Sequence, residues 1–103
     1  MKKIDKIRNE IKIKKLVKED TRVRRSFEEL SAHYDVELDE LVTDYPYAYS
    51  ALVNLAEELY NLTSELYAAF LESENYLLAE AEKKNLKQLE LTIANMKLAG
   101  QTN

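Results

Sequence analysis

Cysteine and tryptophan are absent from this 103-residue chain, and glycine, proline and histidine occur once each, as Gly100, Pro46 and His33. Each shortage excludes something. Without cysteine there is neither a disulfide framework nor a thiolate zinc site, and a reducing cytoplasm is the expected compartment. A single glycine cannot build a glycine-rich phosphate loop, which removes the nucleotide-hydrolysing fingerprints. One glycine and one proline leave almost nothing to punctuate β-hairpins, so the expected fold is all-α. A lone histidine supplies neither the paired ligands of a di-iron bundle nor a nucleophile triad with a cysteine, and a structural role is expected for His33. No catalytic residue, cofactor or metal is expected, and the chain does not read as an enzyme. Glu57, Glu58 and Glu65 interrupt the most hydrophobic stretch, and "MKKIDKIRNEIKIKK" lacks the apolar centre of a signal peptide, so neither a membrane span nor a secretion signal is expected.

What is present is strongly polarised charge. Residues 1–25 hold 11 of the 15 Lys and Arg and 4 of the 19 acids, a net of +7, whereas the rest of the chain holds 4 and 15, a net of −11. The basic end suits nucleic acid or an acidic partner, and the acidic remainder suits a basic one. With 46% hydrophobic residues the chain supports one small domain, residues 1–103.

Periodicity divides that domain into a basic amphipathic helix over 1–20, a corner over 21–45 and a helical hairpin over 47–99. Ile4, Ile7 and Ile11 form a first apolar row, and Ile13, Leu16 and Val17 continue it with a shifted phase. Lacking Trp or Phe, and attached to an acidic remainder, this helix is expected to dock on protein rather than on a membrane. A second helix is expected from about Thr21, with Val23, Phe27, Leu30 and Tyr34 on one face; Ser26 and Glu29 offer a capping box as an alternative start. Asp35 and Val36 form a turn, and a short helix from Glu37 to Tyr45 ends at Pro46. Leu52, Leu55, Leu59, Leu62, Leu66 and Ala69 then make a heptad seam, with Tyr49, Val53, Ala56, Tyr60, Thr63, Tyr67 and Phe70 beside it, as expected of a helix lying between several neighbours. "ESEN" interrupts the pattern, with Ser73 as a possible cap. The last helix carries a seam of Leu86, Leu89, Ile93 and Met96, extended backward by Leu78 and Ala81. A separate row of Leu77, Leu91 and Leu98 lies about 140° away. One hairpin contact cannot cover both faces, so a homodimer through Leu77, Leu91 and Leu98 is expected, unless the N-terminal helices cover them.

The corner resembles helix-turn-helix regulators over residues 26–45, where Leu30, Ser31, Asp35, Val36 and Leu41 occupy that family's crossing, turn and core positions. The resemblance implies a helix-turn-helix-like corner. The sequence departs from the family in its second helix, which offers Glu37, Asp39, Glu40 and Asp44 where base edges and phosphates require Arg, Lys, Asn or Gln. "ELDELVTDY" is also similar to the Glu-Leu-Asp segment of small sporulation phosphatases acting on response regulators, without that signature's preceding Ser-Gln.

The expected function is therefore that of a small regulatory protein that binds another protein, an inhibitor or adaptor of phage or mobile-element type, with nucleic-acid-handling machinery as a candidate target. Its candidate partner-binding residues are Glu37, Asp39, Glu40, Asp44, Tyr45, Tyr47, Tyr49, Glu57, Glu58 and Glu65, because tyrosine suits interfaces and an acidic helical surface imitates the charge of nucleic acid. The alternative is a DNA-binding regulator gripping the phosphate backbone with Lys2, Lys3, Lys6, Arg8, Lys12, Lys14, Lys15, Lys18, Arg22, Arg24 and Arg25. A further alternative is a structural assembly subunit.

Overall fold

Nothing between Lys3 and His33 breaks a helix, and the chain keeps a single one, α1, for all 31 residues. The computed structural model describes residues 3–102, in which α1 (Lys3–His33) is followed by α2 (Leu38–Asp44), α3 (Pro46–Glu72) and α4 (Tyr76–Thr102). The protein is a small all-α bundle, 54 × 20 × 16 Å along its principal axes. The helix boundary expected near Thr21 does not exist. Ser26 caps nothing; its hydroxyl donates back to the Arg22 carbonyl at 3.1 Å, a bond compatible with uninterrupted helix.

The two expected ends of the short helix each move inward by one residue. Tyr45 serves both neighbours: its N–H donates to the Leu41 carbonyl at 3.0 Å, and its own carbonyl accepts from Tyr49 N–H at 3.0 Å. Pro46 follows at the first position of α3, where its missing N–H costs no hydrogen bond. At the other end of α3 the polar interruption resolves into a left-handed cap. Glu74 has φ of 60°, Asn75 N–H donates to the Phe70 carbonyl at 2.9 Å and Glu74 N–H to Leu71 at 3.0 Å, the pattern of a Schellman turn. Ser73 closes the outgoing helix through its hydroxyl on Ala69 O, whereas Asn75 starts α4 by accepting from Leu78 N–H.

Helix α3 is the spine, packing against α1, α2 and α4, while α1 and α4 nowhere bring their Cα atoms within 8 Å of each other. Both of its apolar rows are accordingly used. Val23, Leu59 and Leu89 tie α1, α3 and α4 together at the centre. Leu41, Ala48, Leu52 and Met96 form the core beside α2, with Phe27, Leu30, Leu38 and Tyr49 packed around them. Leu66, Phe70 and Ala79 close the hairpin end, against Ile13 and Leu16 of α1. On α4 the inward seam is continued by buried Ala79 and half-buried Glu82; Leu78 and Ala81, expected there, are exposed. The sole glycine is used for close approach: any side chain at Gly100 would strike the Tyr49 hydroxyl, which donates to the Met96 carbonyl at 2.6 Å.

Register decides what α1 does with its isoleucines. It runs antiparallel to α3 with Asp20 beside Thr63 and Val23 beside Leu59, which puts Glu72 level with about residue 10 and leaves residues 3–9 projecting past the end of α3. Ile13, Leu16, Asp20 and Val23 face the bundle. Counted at about 100° per residue, Ile4, Ile7 and Ile11 point the opposite way, and they remain 58%, 47% and 52% exposed. The shift of phase between the two rows is thus a change of address, and the first row does not dock on the protein's own core.

Candidate interaction surfaces

At the α2 end the chain gathers negative charge without answering it. Glu28, Glu29, Asp35, Glu37, Asp39, Glu40 and Asp44 are all exposed, residues 26–45 contain no Lys or Arg, and no ion pair among the described residues engages these carboxylates. Asp39 and Glu40 occupy the first turn of α2, where the helix dipole favours them. The tyrosines beside them divide. Tyr47 is 92% exposed and Tyr45 is 41% exposed, its ring 5.1 Å from that of Tyr34. Tyr49 belongs instead to the packing between α3 and α4, through its bond to Met96. His33 ends α1 with its ring edge-on to Tyr34 at 4.9 Å. Within the helix-turn-helix-like pattern, Leu30 and Leu41 share the core, Val36 is 37% exposed, and α2 packs on α3 and α4.

The acids of α3 are differently placed. Glu57 pairs with Lys97 of α4 at 3.4 Å, Glu58 with Arg22 of α1 at 3.6 Å, and Glu65 is exposed. Glu57 and Glu58 therefore lie on opposite flanks of the spine. Such exposed pairs hold little energy and leave the carboxylates accessible. Across the α3–α4 groove, Tyr60 donates to Glu90 at 3.0 Å, and that bond, with Glu90's charge, raises the Tyr60 phenol above its ordinary range.

The basic residues line α1. Lys3, Lys6, Arg8, Lys12, Lys14, Lys15, Lys18 and Arg25 are exposed with no ion pair among the described residues. Arg22 is engaged by Glu19 at 3.0 Å and by Glu58, and Arg24 by Asp20 at 3.4 Å. Lys2 lies outside the described residues. On α4, Leu77, Leu91 and Leu98 are 88%, 62% and 60% exposed, so neither the hairpin nor the N-terminal helices cover that row.

A buried polar crossing was not anticipated from the sequence. Asp20 is 9% exposed and Thr63 fully buried; the Thr63 hydroxyl lies 2.8 Å from the Leu59 carbonyl and 3.1 Å from Asp20 Oδ2, so its one proton serves two acceptors. Arg24 answers the other Asp20 oxygen. Burial raises the Glu82 carboxyl above its ordinary value; a hydrogen bond from Asn85 opposes this, the Asp20 charge adds to it and Arg24 subtracts. The signal was legible: Asp20 falls on the same face as Leu16 and Val23, and Thr63 lies in the second row of α3. This crossing joins α1 to α3 at the level of Asp20 and Thr63. Among the described residues no group of three or more His, Cys, Asp or Glu side chains is arranged to hold a metal, and no helix is long and apolar enough to cross a membrane. No family model matches the chain, and neither a curated protein nor a solved structure shows a significant similarity to it.

Proposed function

We propose that this protein is a non-enzymatic regulator, an inhibitor or adaptor that captures a protein partner with its acidic corner. The observation that carries the reading is the unanswered charge there: seven exposed carboxylates over residues 26–45, no cation among them, and the solvent-facing ring of Tyr47 alongside. A natural counterpart is a basic surface of the kind found on nucleic-acid-handling proteins, since clustered carboxylates imitate a phosphate backbone in charge and steer association. Glu37, Asp39, Glu40, Asp44, Tyr45 and Tyr47 form the contact; Glu65 and the outer flank of Glu58 extend it along α3.

The test is affinity capture with the full chain against two variants, E37Q/D39N/E40Q/D44N and K12E/K15E/K18E. The expected partner is retained by the wild type and the basic-face variant, is lost with the corner variant, and associates more slowly as salt rises. A partner held equally by the corner variant would remove this reading. A second reading rests on the outward face of α1, where unpaired Lys12, Lys15, Lys18 and Arg25 could grip a phosphate backbone. Duplex binding that weakens steeply between two salt concentrations would favour it, and no mobility shift at low salt would eliminate it.

A further inference from the structure

The first isoleucine row of α1 has no partner inside the chain, and the charges around it on the same side of the helix are of one sign. Ile4, Ile7 and Ile11 are exposed and point away from α3. Counted at about 100° per residue, the half of α1 centred on that row carries Lys3, Arg8, Lys14, Lys15 and Lys18, all exposed. No ion pair among the described residues engages them. Over residues 3–18 no acid shares this half: Glu10 lies at its edge and Asp5 behind it. Glu19, just beyond, is engaged by Arg22. The carboxylates of the hairpin lie behind the row as well, Glu72 in a cleft with Asp5, Arg8 and Asn9 on one flank, and Glu74 in a cleft with Lys6, Glu10 and Lys14 on the other. The outer face thus has an apolar centre and a cationic rim.

That combination identifies the occupant. Nucleic acid would answer the cations and leave three isoleucines pressed against phosphate and water. A protein would need an apolar groove of matching shape inside an acidic rim. An anionic bilayer supplies both layers without any such fit: headgroup charge for the cations, whose long stems reach outward, and acyl chain for the isoleucines. We infer that the start of α1 lies peripherally and reversibly on anionic phospholipid membranes. Ile4, Ile7 and Ile11 sit at the boundary of headgroup and acyl chain, and Lys3, Arg8, Lys14, Lys15 and Lys18 meet the lipid charges. The two features that point away from a membrane act differently in the folded chain. Lack of Trp and Phe in this stretch makes insertion shallow, so that binding depends on the anionic lipid. The acidic corner does not forbid it: Glu28, its first carboxylate, lies about 32 Å beyond Ile7 along α1, several Debye lengths at physiological salt. This inference is independent of partner capture by that corner. It competes with the duplex-binding reading for the same lysines, and the isoleucines decide between them.

The chain's lack of tryptophan supplies the test. In Ile7→Trp a single indole reports its own surroundings. Its emission shifts to the blue, and brominated acyl chains quench it, when mixed phosphatidylserine–phosphatidylcholine vesicles are added; phosphatidylcholine alone does neither. Leu98→Trp, on the outer face of α4, stays unshifted with both. In vesicle sedimentation of the full chain, K14E/K15E/K18E lowers the partition onto phosphatidylserine vesicles by at least about tenfold. I4Q/I7Q/I11Q lowers it by about tenfold with its charge intact. Added salt weakens the wild type's binding. All the altered residues are exposed, so circular dichroism should show unchanged helix in each variant. The inference is overturned if the wild type stays in the supernatant with phosphatidylserine vesicles, if the Ile7→Trp emission does not move, or if I4Q/I7Q/I11Q binds these vesicles as the wild type does. Duplex DNA held equally by the wild type and I4Q/I7Q/I11Q, without vesicle binding, overturns it in favour of nucleic acid.

Discussion

The two ends of the rod are built from similar residues used in opposite ways. At the α2 end the apolar side chains are spent internally: Leu41, Ala48, Leu52 and Met96 are buried, Phe27 and Leu30 pack over them, and the surface is left to carboxylates. At the hairpin end the core narrows to Leu66, Phe70 and Ala79; the first isoleucine row of α1 points away from α3 and faces water, as do Tyr76, Leu77 and Leu78 at the start of α4. Hydrophobicity along a helix therefore identifies apolar faces without saying which of them the chain itself covers; relative helix length and register decide that. The largest test of this contrast is a pair of truncations. Leu52→Ala should cost about 2–5 kcal/mol through lost burial and the cavity left behind. Ile7→Ala, read in denaturant at a concentration where the chain is monomeric, should stay within about 0.5 kcal/mol. Comparable losses at both positions would mean that Ile7 is buried and that the ends do not differ.

Between the ends lies the polar crossing, and it should give the next largest effect. Thr63→Val keeps the volume but removes a donor from Asp20 Oδ2 inside the bundle, at a cost of about 1–3 kcal/mol. Replacing both partners, as Asp20→Val with Thr63→Val, should recover part of that loss, because the buried acceptor goes with its donor and Arg24, 38% exposed, turns to water. If the single change cost nothing, Asp20 would not depend on Thr63 and register would be set by apolar packing alone.

How far the contrast was legible follows from the same physics. Helical class, the breadth of the α3 apolar arc and the exposure of Leu77, Leu91 and Leu98 were readable because each depends on spacing along one helix. The join of 1–20 to 21–45 is unbroken helix although the sequence suggests a boundary, because capping signals such as Ser26 with Glu29 are local, and a continuous helix has an equally good local use for a serine hydroxyl. Leu78 and Ala81 extend the Leu86 seam by spacing alone, yet at the hairpin the core takes Ala79, which packs with Leu66 and Phe70. Tyr47 and Tyr49 are two residues apart and differ in fate, which turns on whether Gly100 lies opposite; that fact belongs to the tertiary fold. The acidic corner was legible in composition alone, because residues 26–45 hold seven acids and no Lys or Arg.

A smaller effect is expected at the hairpin turn, with the opposite sign. Glu74 holds a left-handed conformation that costs a residue with Cβ about 1 kcal/mol, and its position in the Schellman turn is the one glycine prefers. Glu74→Gly should stabilise the monomer by roughly 0.5–1 kcal/mol, with part of the gain offset by the greater freedom of glycine in the unfolded chain. Loss of stability instead would place Glu74 in an interaction that outweighs its backbone strain.

The smallest effect separates the crossing from both ends by its pH dependence. Burial holds the Glu82 carboxyl above the ordinary value of 4.5, so the folded chain keeps this proton over a range where the unfolded chain has already released it. Stability from this source is complete below the unfolded value and is lost as the pH rises through the folded one, because there the native state binds more protons than the unfolded state. Glu82→Gln imitates the protonated form. It should raise stability at neutral pH by less than about 1 kcal/mol, the side chain being partly hydrated, and should flatten the fall in stability as the pH rises from 4.5. If Glu82→Gln left the slope unchanged, the pH response would originate outside the crossing, and α4 would meet Asp20 and Arg24 only through solvent.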